Sequence, residues 1–233
     1  MATIKVMSAG AVQSMVTSIG NEWARANGHE LDLNFATVGS LRERLAGGER
    51  TDVAILSESA VTTLDKTGLF VPGSIRALGR TRTGVVIRAG AAAPEIGTVD
   101  AFKQALLNAR AVSYSDPKGG GSSGTFFAGL LERLGIADEV NKKAVLKKRG
   151  FEVAQAVVDG EADLGTTFIS EILTVKGAVV AGPLPAEIDN ANTYTGAVHA
   201  GSGQKPPAAA FLAALADPAG RGRWTAAGLE PAF

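Results

Sequence analysis

Apolar positions along this chain fall into two alternating rhythms. Short runs with every second residue apolar, or continuously apolar, read as strands. Stretches with apolar residues three and four apart read as helices. Ile4, Val6 and Ser8 open a strand, Ser8-Ala9-Gly10-Ala11 make a small-residue turn, and Val12, Met15, Val16, Ile19 and Trp23 repeat at helical spacing until Asn27-Gly28. Leu31 to Phe35 alternates as a strand; Ala36-Thr37-Val38-Gly39-Ser40 is a second small turn before a short helix, Leu41 to Ala46. Further strands are expected at Asp52–Leu56, Gly84–Arg88, Ala111–Tyr114, Ala144–Leu146, Ala162–Thr167, Val179–Val180 and Thr193–His199. Helices are expected from a Ser57-Glu58-Ser59 cap through Leu64 to Gly68, from a Thr98-Val99-Asp100 cap through Phe102, Leu106 and Leu107, from Phe126 to Leu134, from Phe151 to Asp159 and from Pro207 to Leu215. Strands alternating with helices at short spacing imply parallel βαβ units, whose post-strand turns gather along one sheet edge.

The central stretch is Tyr114-Ser115-Asp116-Pro117-Lys118-Gly119-Gly120-Gly121-Ser122-Ser123-Gly124-Thr125. Pro117 pushes Asp116 out of helical backbone and ends the strand, and the glycines allow a tight turn. Ser122 or Ser123 is the expected N-cap of the helix that follows. A helix start carries unpaired N–H groups and a partial positive charge, so it attracts anions. No Gly-Lys-Ser/Thr follows the glycines, so the loop is not a nucleotide P-loop. The turns Ser8 to Ala11, Thr37 to Ser40 and Ser122 to Thr125 share hydroxyls, small side chains and free backbone N–H groups. Such turns hold a compact anion through neutral hydrogen bonds and helix dipoles.

Composition narrows the classes. Lys plus Arg equals Asp plus Glu at 23 each, which gives no basic face for nucleic acid or an anionic membrane. The chain has no cysteine and only His29 and His199, so thiol catalysis, disulfides and a thiolate or histidine metal site are not expected. No apolar run approaches the roughly 20 residues that span a bilayer. The chain enters its first strand at once with no signal segment, which fits either a cytosolic protein or a periplasmic one whose signal was removed. No cofactor is expected. The basic cluster Lys142, Lys143, Lys147, Lys148 and Arg149 reads as a solvated face.

The order of these motifs resembles the type II periplasmic-binding-protein family, in the branch related to molybdate-binding proteins. The matching residues are Ser8-Ala9-Gly10-Ala11, Thr37-Val38-Gly39-Ser40-Leu41-Arg42, Gly48 to Val53, Ser115-Asp116-Pro117 with Ser123-Gly124, Gly160 to Gly165, and Tyr194. The resemblance implies a two-lobed α/β fold with parallel-rich mixed sheets and a ligand cleft between lobes. The lobes would be residues 1–81 with 196–233, and residues 82–195, closing by a hinge in the two crossing segments. It places oxyanion contacts on Ser8, Ala9, Gly10, Ala11, Thr37, Gly39, Ser40, Ser122, Ser123, Gly124, Thr125, Thr167 and Tyr194. The implied partner is a small anionic ligand and, if the protein is exported, an ABC transporter membrane component. Ala11 stands where molybdate binders usually carry a contacting serine, and the Gly119 to Ser122 loop is longer, which points to a different, larger anion. The aconitate isomerase family resembles the same branch and moves a proton along an unsaturated tricarboxylate. For such chemistry the acid–base candidates by type are Tyr194, Asp116, Lys118, Glu171 and His199. A ligand-sensing regulator is the weakest reading, because the chain has no room for a DNA-reading module.

Overall fold

The computed structural model describes residues 2–233. They form two compact units, the first running up to Arg80 and resuming at Asn192–Phe233, the second comprising Thr81–Ala191. The first opens with β1 (Thr3–Ala9), a 3-10 turn at Gly10–Val12, α1 (Gln13–Asn27), β2 (Glu30–Ala36), α2 (Val38–Ala46), β3 (Val53–Ser57), α3 (Glu58–Asp65) and the start of β4 (Arg76–Arg88). The second continues from β4 with α4 (Val99–Asn108), β5 (Val112–Ser115), a 3-10 turn at Pro117–Gly119, α5 (Ser122–Arg133), α6 (Ala137–Asn141), β6 (Ala144–Lys147), α7 (Gly150–Val158), β7 (Leu164–Phe168), α8 (Ile169–Ile172) and β8 (Ala178–Pro183). The chain then returns through β9 (Ala191–Val198), α9 (Lys205–Leu215), α10 (Arg221–Ala226) and β10 (Glu230–Pro231).

In the first unit β1 lies between β2 and β3, parallel to both, and β9 runs antiparallel along β3 with Ser57 opposite Tyr194 and Val53 opposite Val198. Every residue of β3 is buried, as expected of a strand covered on both faces. One face packs Met7, Ala54 and Leu56 under Leu41, Leu45 and Val61 of α2 and α3. Trp224 of α10 is fully buried, and its ring fills the space beside Gly79, where any Cβ would lie 2.5 Å from it.

In the second unit β5 sits between β6 and β7, parallel to both, while β7 and β8 pair antiparallel with β4. Val85, Val112, Tyr114 and Leu164 pack under α5 through Phe127, Leu130 and Leu131. Val86, Val153, Ala154 and Val157 fill the opposite face under α7. Gly135 closes α5 in left-handed backbone at φ 66, which only glycine adopts freely.

Three local expectations change. β4 is a 13-residue strand rather than a short one after an irregular link; Arg80 to Thr83 lie within it because β10 pairs with Arg80 and β7 with Thr83. The second crossing falls at Ala191 and Asn192, not at residue 196, so Tyr194 belongs to the first unit. The N-cap of α5 is Gly121, not Ser122 or Ser123, which form its first turn.

Candidate functional site

Each unit presents a set of turn residues at the C-terminal edge of its parallel strands. In the first unit that edge carries Ala9 to Ala11 after β1, Thr37 before α2, Ser57 at the end of β3 and Tyr194 opposite it. Ser8 is fully buried inside β1, with Phe35 and Ile55 as its register partners, and its hydroxyl donates to the Ala9 carbonyl at 3.2 Å. Its side chain is therefore within the sheet, while Gly10 and Ala11 form the turn itself. Neither the 3-10 turn nor α1 is capped by a side chain, and no acid lies in either first turn. α2 differs. Thr37 caps it by accepting the Ser40 N–H at 3.3 Å, so that amide already has an acceptor; Gly39 lies between them in the first turn. Tyr194 is buried at 1% exposure, and the Thr195 hydroxyl next to it is buried without a hydrogen-bond partner among the described residues.

The second unit places its predicted residues at the β5–α5 turn and the end of β7. α5 starts with no side-chain cap and no acidic residue in its first turn. Ser123 and Gly124 are buried, whereas Thr125 is exposed and its N–H enters the helix by donating to the Gly121 carbonyl. Gly124 presses on the end of β5: a Cβ there would lie 2.2 Å from the Ser115 carbonyl oxygen. Ser115 is 2% exposed, and its Oγ has no hydrogen-bond partner among the described residues. An unsatisfied buried hydroxyl costs about 1–3 kcal/mol, so one at a helix start marks a place where an acceptor or donor from a ligand would be stabilised.

Tyr114 and Thr166 are paired in register, so Ser115 and Thr167 are the next residues along the two strands; Gly124 of α5 approaches Ser115, and Gly150 of α7 approaches Thr167. The Thr167 hydroxyl donates to Glu171 Oε2 at 2.9 Å. The backbone N–H groups of Phe168 and Gly150 also bond the Glu171 carboxyl. Burial outweighs these bonds and pushes the Glu171 carboxyl up to about 7. Gly150, the first residue of α7, is shaped for this group: a Cβ there would sit 1.9 Å from Glu171 Oε2 and 2.3 Å from Thr167 Oγ1. The start of α7 is further occupied by Glu152, whose carboxylate accepts the Lys148 and Arg149 N–H groups. Two carboxyls thus attend α7, while α5 has none.

A carboxyl raised in the folded state stabilises the fold fully below its unfolded value of 4.5 and loses that contribution as pH rises through about 7. Wild-type stability from this group should fall between those limits by at most about 3 kcal/mol. Urea unfolding of Glu171→Gln across that range should show a flatter pH profile than the wild type; identical profiles would contradict the burial argument.

Of the remaining acid–base candidates, Asp116 and His199 have structural employment. Asp116 accepts the Lys118 N–H at 2.9 Å and so holds the 3-10 turn of Pro117–Gly119; the Lys118 side chain is exposed. His199 lies at the opposite edge from Tyr194, where its N–H donates to the Asp52 carbonyl and its Nδ1 accepts from Gly201 N–H. Burial first, then Arg50, hold its imidazole below the ordinary value against the pull of Asp52. A crevice of about 430 Å³ lined by Ile87, Glu95, Asn108 and Asp163 opens near the N-terminal ends of β5 and β7 and includes none of the turn residues. The residue that sequence reasoning did not assign as a contact is Ser115, although Ser115-Asp116-Pro117 is among the residues that carry the family resemblance.

The family model of the bacterial extracellular solute-binding proteins matches residues 4–230. The chain belongs to that family. Among curated relatives of this solute-binding protein, an aconitate isomerase from Pseudomonas sp is 30% identical over 223 residues, covering 92% of this chain and 82% of that one. The molybdate-binding protein ModA of Mycobacterium tuberculosis is 26% identical over 228 residues, covering 94% and 81%. Among solved structures, the periplasmic molybdate-binding protein of Azotobacter vinelandii superposes with a TM-score of 0.78 at 19% identity, covering 97% of this chain and 98% of that one. The sulfate-binding protein SubI of Mycobacterium tuberculosis gives 0.75 at 16% identity, covering 100% and 88%. These structures fix the fold as that of the two-lobed periplasmic binding proteins.

Proposed function

We propose that this solute-binding protein takes up a small anion, an oxyanion or a di- or tricarboxylate, with the β5–α5 turn as its principal seat. The observation that carries this reading is the start of α5: bare amides at Ser122, Ser123 and Gly124, no competing acid, and the buried Ser115 hydroxyl behind them. The uncapped turn at Gly10 to Val12 in the first unit offers groups of the same kind, and Tyr194 lies at the same edge of that unit. The molybdate- and sulfate-binding relatives support an anionic guest. By this reading the protein passes its ligand to the membrane component of an ABC transporter.

Calorimetry against sulfate, molybdate and cis-aconitate should show saturable binding of at least one. Ser115→Ala should weaken that binding about tenfold, the worth of one hydrogen bond to an anion. Absence of heat with all three probes would overturn the reading.

The aconitate isomerase relative and the Glu171 carboxyl favour a second reading, a cofactor-independent isomerase of an unsaturated polycarboxylate. A carboxyl that titrates near neutrality can both take and return a proton at working pH. Conversion of cis- to trans-aconitate, lost in Glu171→Gln with binding retained, would establish it; binding without turnover would leave the protein a binder.

A further inference from the structure

We propose that Glu171 makes ligand binding proton-coupled: an anion seated at the β5–α5 turn is taken up together with one proton, which Glu171 carries. The inference rests on the reading of that turn as the anion seat.

The geometry places the two negative groups close together. Ser115 and Thr167 follow the register pair Tyr114 and Thr166 on neighbouring parallel strands, and Thr167 Oγ1 bonds Glu171 Oε2 at 2.9 Å. Neighbouring strands lie about 4.8 Å apart, so an anion at the Ser115 end of β5 is one strand away from the residue that bonds the Glu171 carboxyl. Two like charges at that separation in a buried site do not both persist; one accepts a proton.

Among the described residues, no cation is paired with the Glu171 carboxyl. From the start of α7, Arg149 is exposed and Glu152 is committed to the Lys148 and Arg149 amides. Lys147, at the end of β6, is paired with Glu161 at 2.8 Å. Lys148 is exposed. β7 and β8 carry no titratable side chain. At the β5–α5 turn, Asp116 is bound to its own turn and Lys118 is exposed. In β4, Arg82 is paired with Asp189 at 2.6 Å. Neutral donors hold the Glu171 carboxyl, and burial outweighs their bonds and lifts it to about 7. The pocket is built to keep it, since Gly150 leaves no room for a Cβ beside Oε2.

The arrangement selects by proton content. A proton-free dianion such as sulfate binds only when Glu171 is protonated. A ligand with its own hydroxyl or acid proton can donate to the ionised carboxylate and so escapes that penalty. The favoured class is a hydroxylated or partly protonated carboxylate rather than a bare tetrahedral dianion.

The test is titration calorimetry of the full chain with sulfate and with cis-aconitate, at about pH 6 and about pH 8.5, in two buffers of different ionisation enthalpy. Neither probe takes up a proton of its own over most of that range, so proton uptake reports on the protein. The expected result is uptake approaching one proton per sulfate above neutrality, with affinity falling about tenfold per pH unit there. Glu171→Gln should bind sulfate with flat pH dependence and no uptake. Wild-type binding without uptake and with equal affinity at both pH values would overturn the inference while leaving the binding reading intact. Absence of binding by either probe or by molybdate would overturn both. Should Glu171→Gln fail to fold, His29→Gln and His199→Gln decide the source: uptake retained in both supports Glu171, and uptake lost in either assigns the proton to that histidine and overturns the proposal.

Discussion

Gly124→Ala is expected to abolish measurable anion binding and to cost about 3 kcal/mol or more of stability. The added methyl would lie 2.2 Å from the Ser115 carbonyl oxygen and 2.8 Å from its carbon, so its obstacle is backbone and not a side chain that can rotate away. β5 cannot yield, because β6 and β7 hold it on both edges. α5 must therefore lift at its first turn, which moves the Ser122 and Ser123 amides off the seat. Gly129→Ala on the same helix is the control: nothing lies within 4 Å of a Cβ there, the position is exposed, and alanine should stabilise the helix by up to about 1 kcal/mol. Urea midpoints and sulfate calorimetry on the two variants check the contrast. Retained affinity in Gly124→Ala would remove the β5–α5 turn from the site.

Asp52→Ala should destabilise the first unit by about 3 kcal/mol while leaving ligand affinity within about twofold. Asp52 is 8% exposed and joins distant parts of the chain: Oδ2 accepts the Lys5 N–H at 2.8 Å, and Oδ1 accepts the Ser202 hydroxyl at 2.5 Å. Ser202 Oγ in turn accepts the Gln204 N–H at the start of α9, and the Asp52 carbonyl accepts the His199 N–H. Removing the carboxylate leaves a backbone donor and a hydroxyl buried without acceptors. The network stands at the edge away from the turns, so chemical denaturation should register the change and calorimetry should not. Equal losses in both would place the network in the binding machinery.

The periodicity of Phe126, Phe127, Leu130, Leu131 and Leu134 made α5 legible, and the same holds for α1, whose C-terminal glycine takes up the left-handed φ of 67. Local rules govern such segments. β4 was not legible over its first half, because Arg80-Thr81-Arg82-Thr83 is polar and becomes strand only through partners remote in sequence. The same separation hid the Asp52–Ser202 bond, which spans 150 positions. At the candidate site, the sequence marked the helix starts but could not rank them. Whether a turn hydroxyl is committed, as Thr37 is to Ser40, or left over, as in Ser115, depends on register and burial. Glu171 stood among five acid–base candidates; only the contact with Gly150 and Thr167 separates it from Asp116 and His199.

The two units differ in how the gene delivers them. Thr81–Ala191 is one uninterrupted segment, whereas its companion gains β9, α9, α10 and β10 only after that segment has been made. During synthesis the segment bearing Ser115, Gly124 and Glu171 is complete first, and it can close its core while β3 still waits for β9 along its exposed edge. The β5–α5 turn can thus take its shape before β3 has gained β9 as its neighbour.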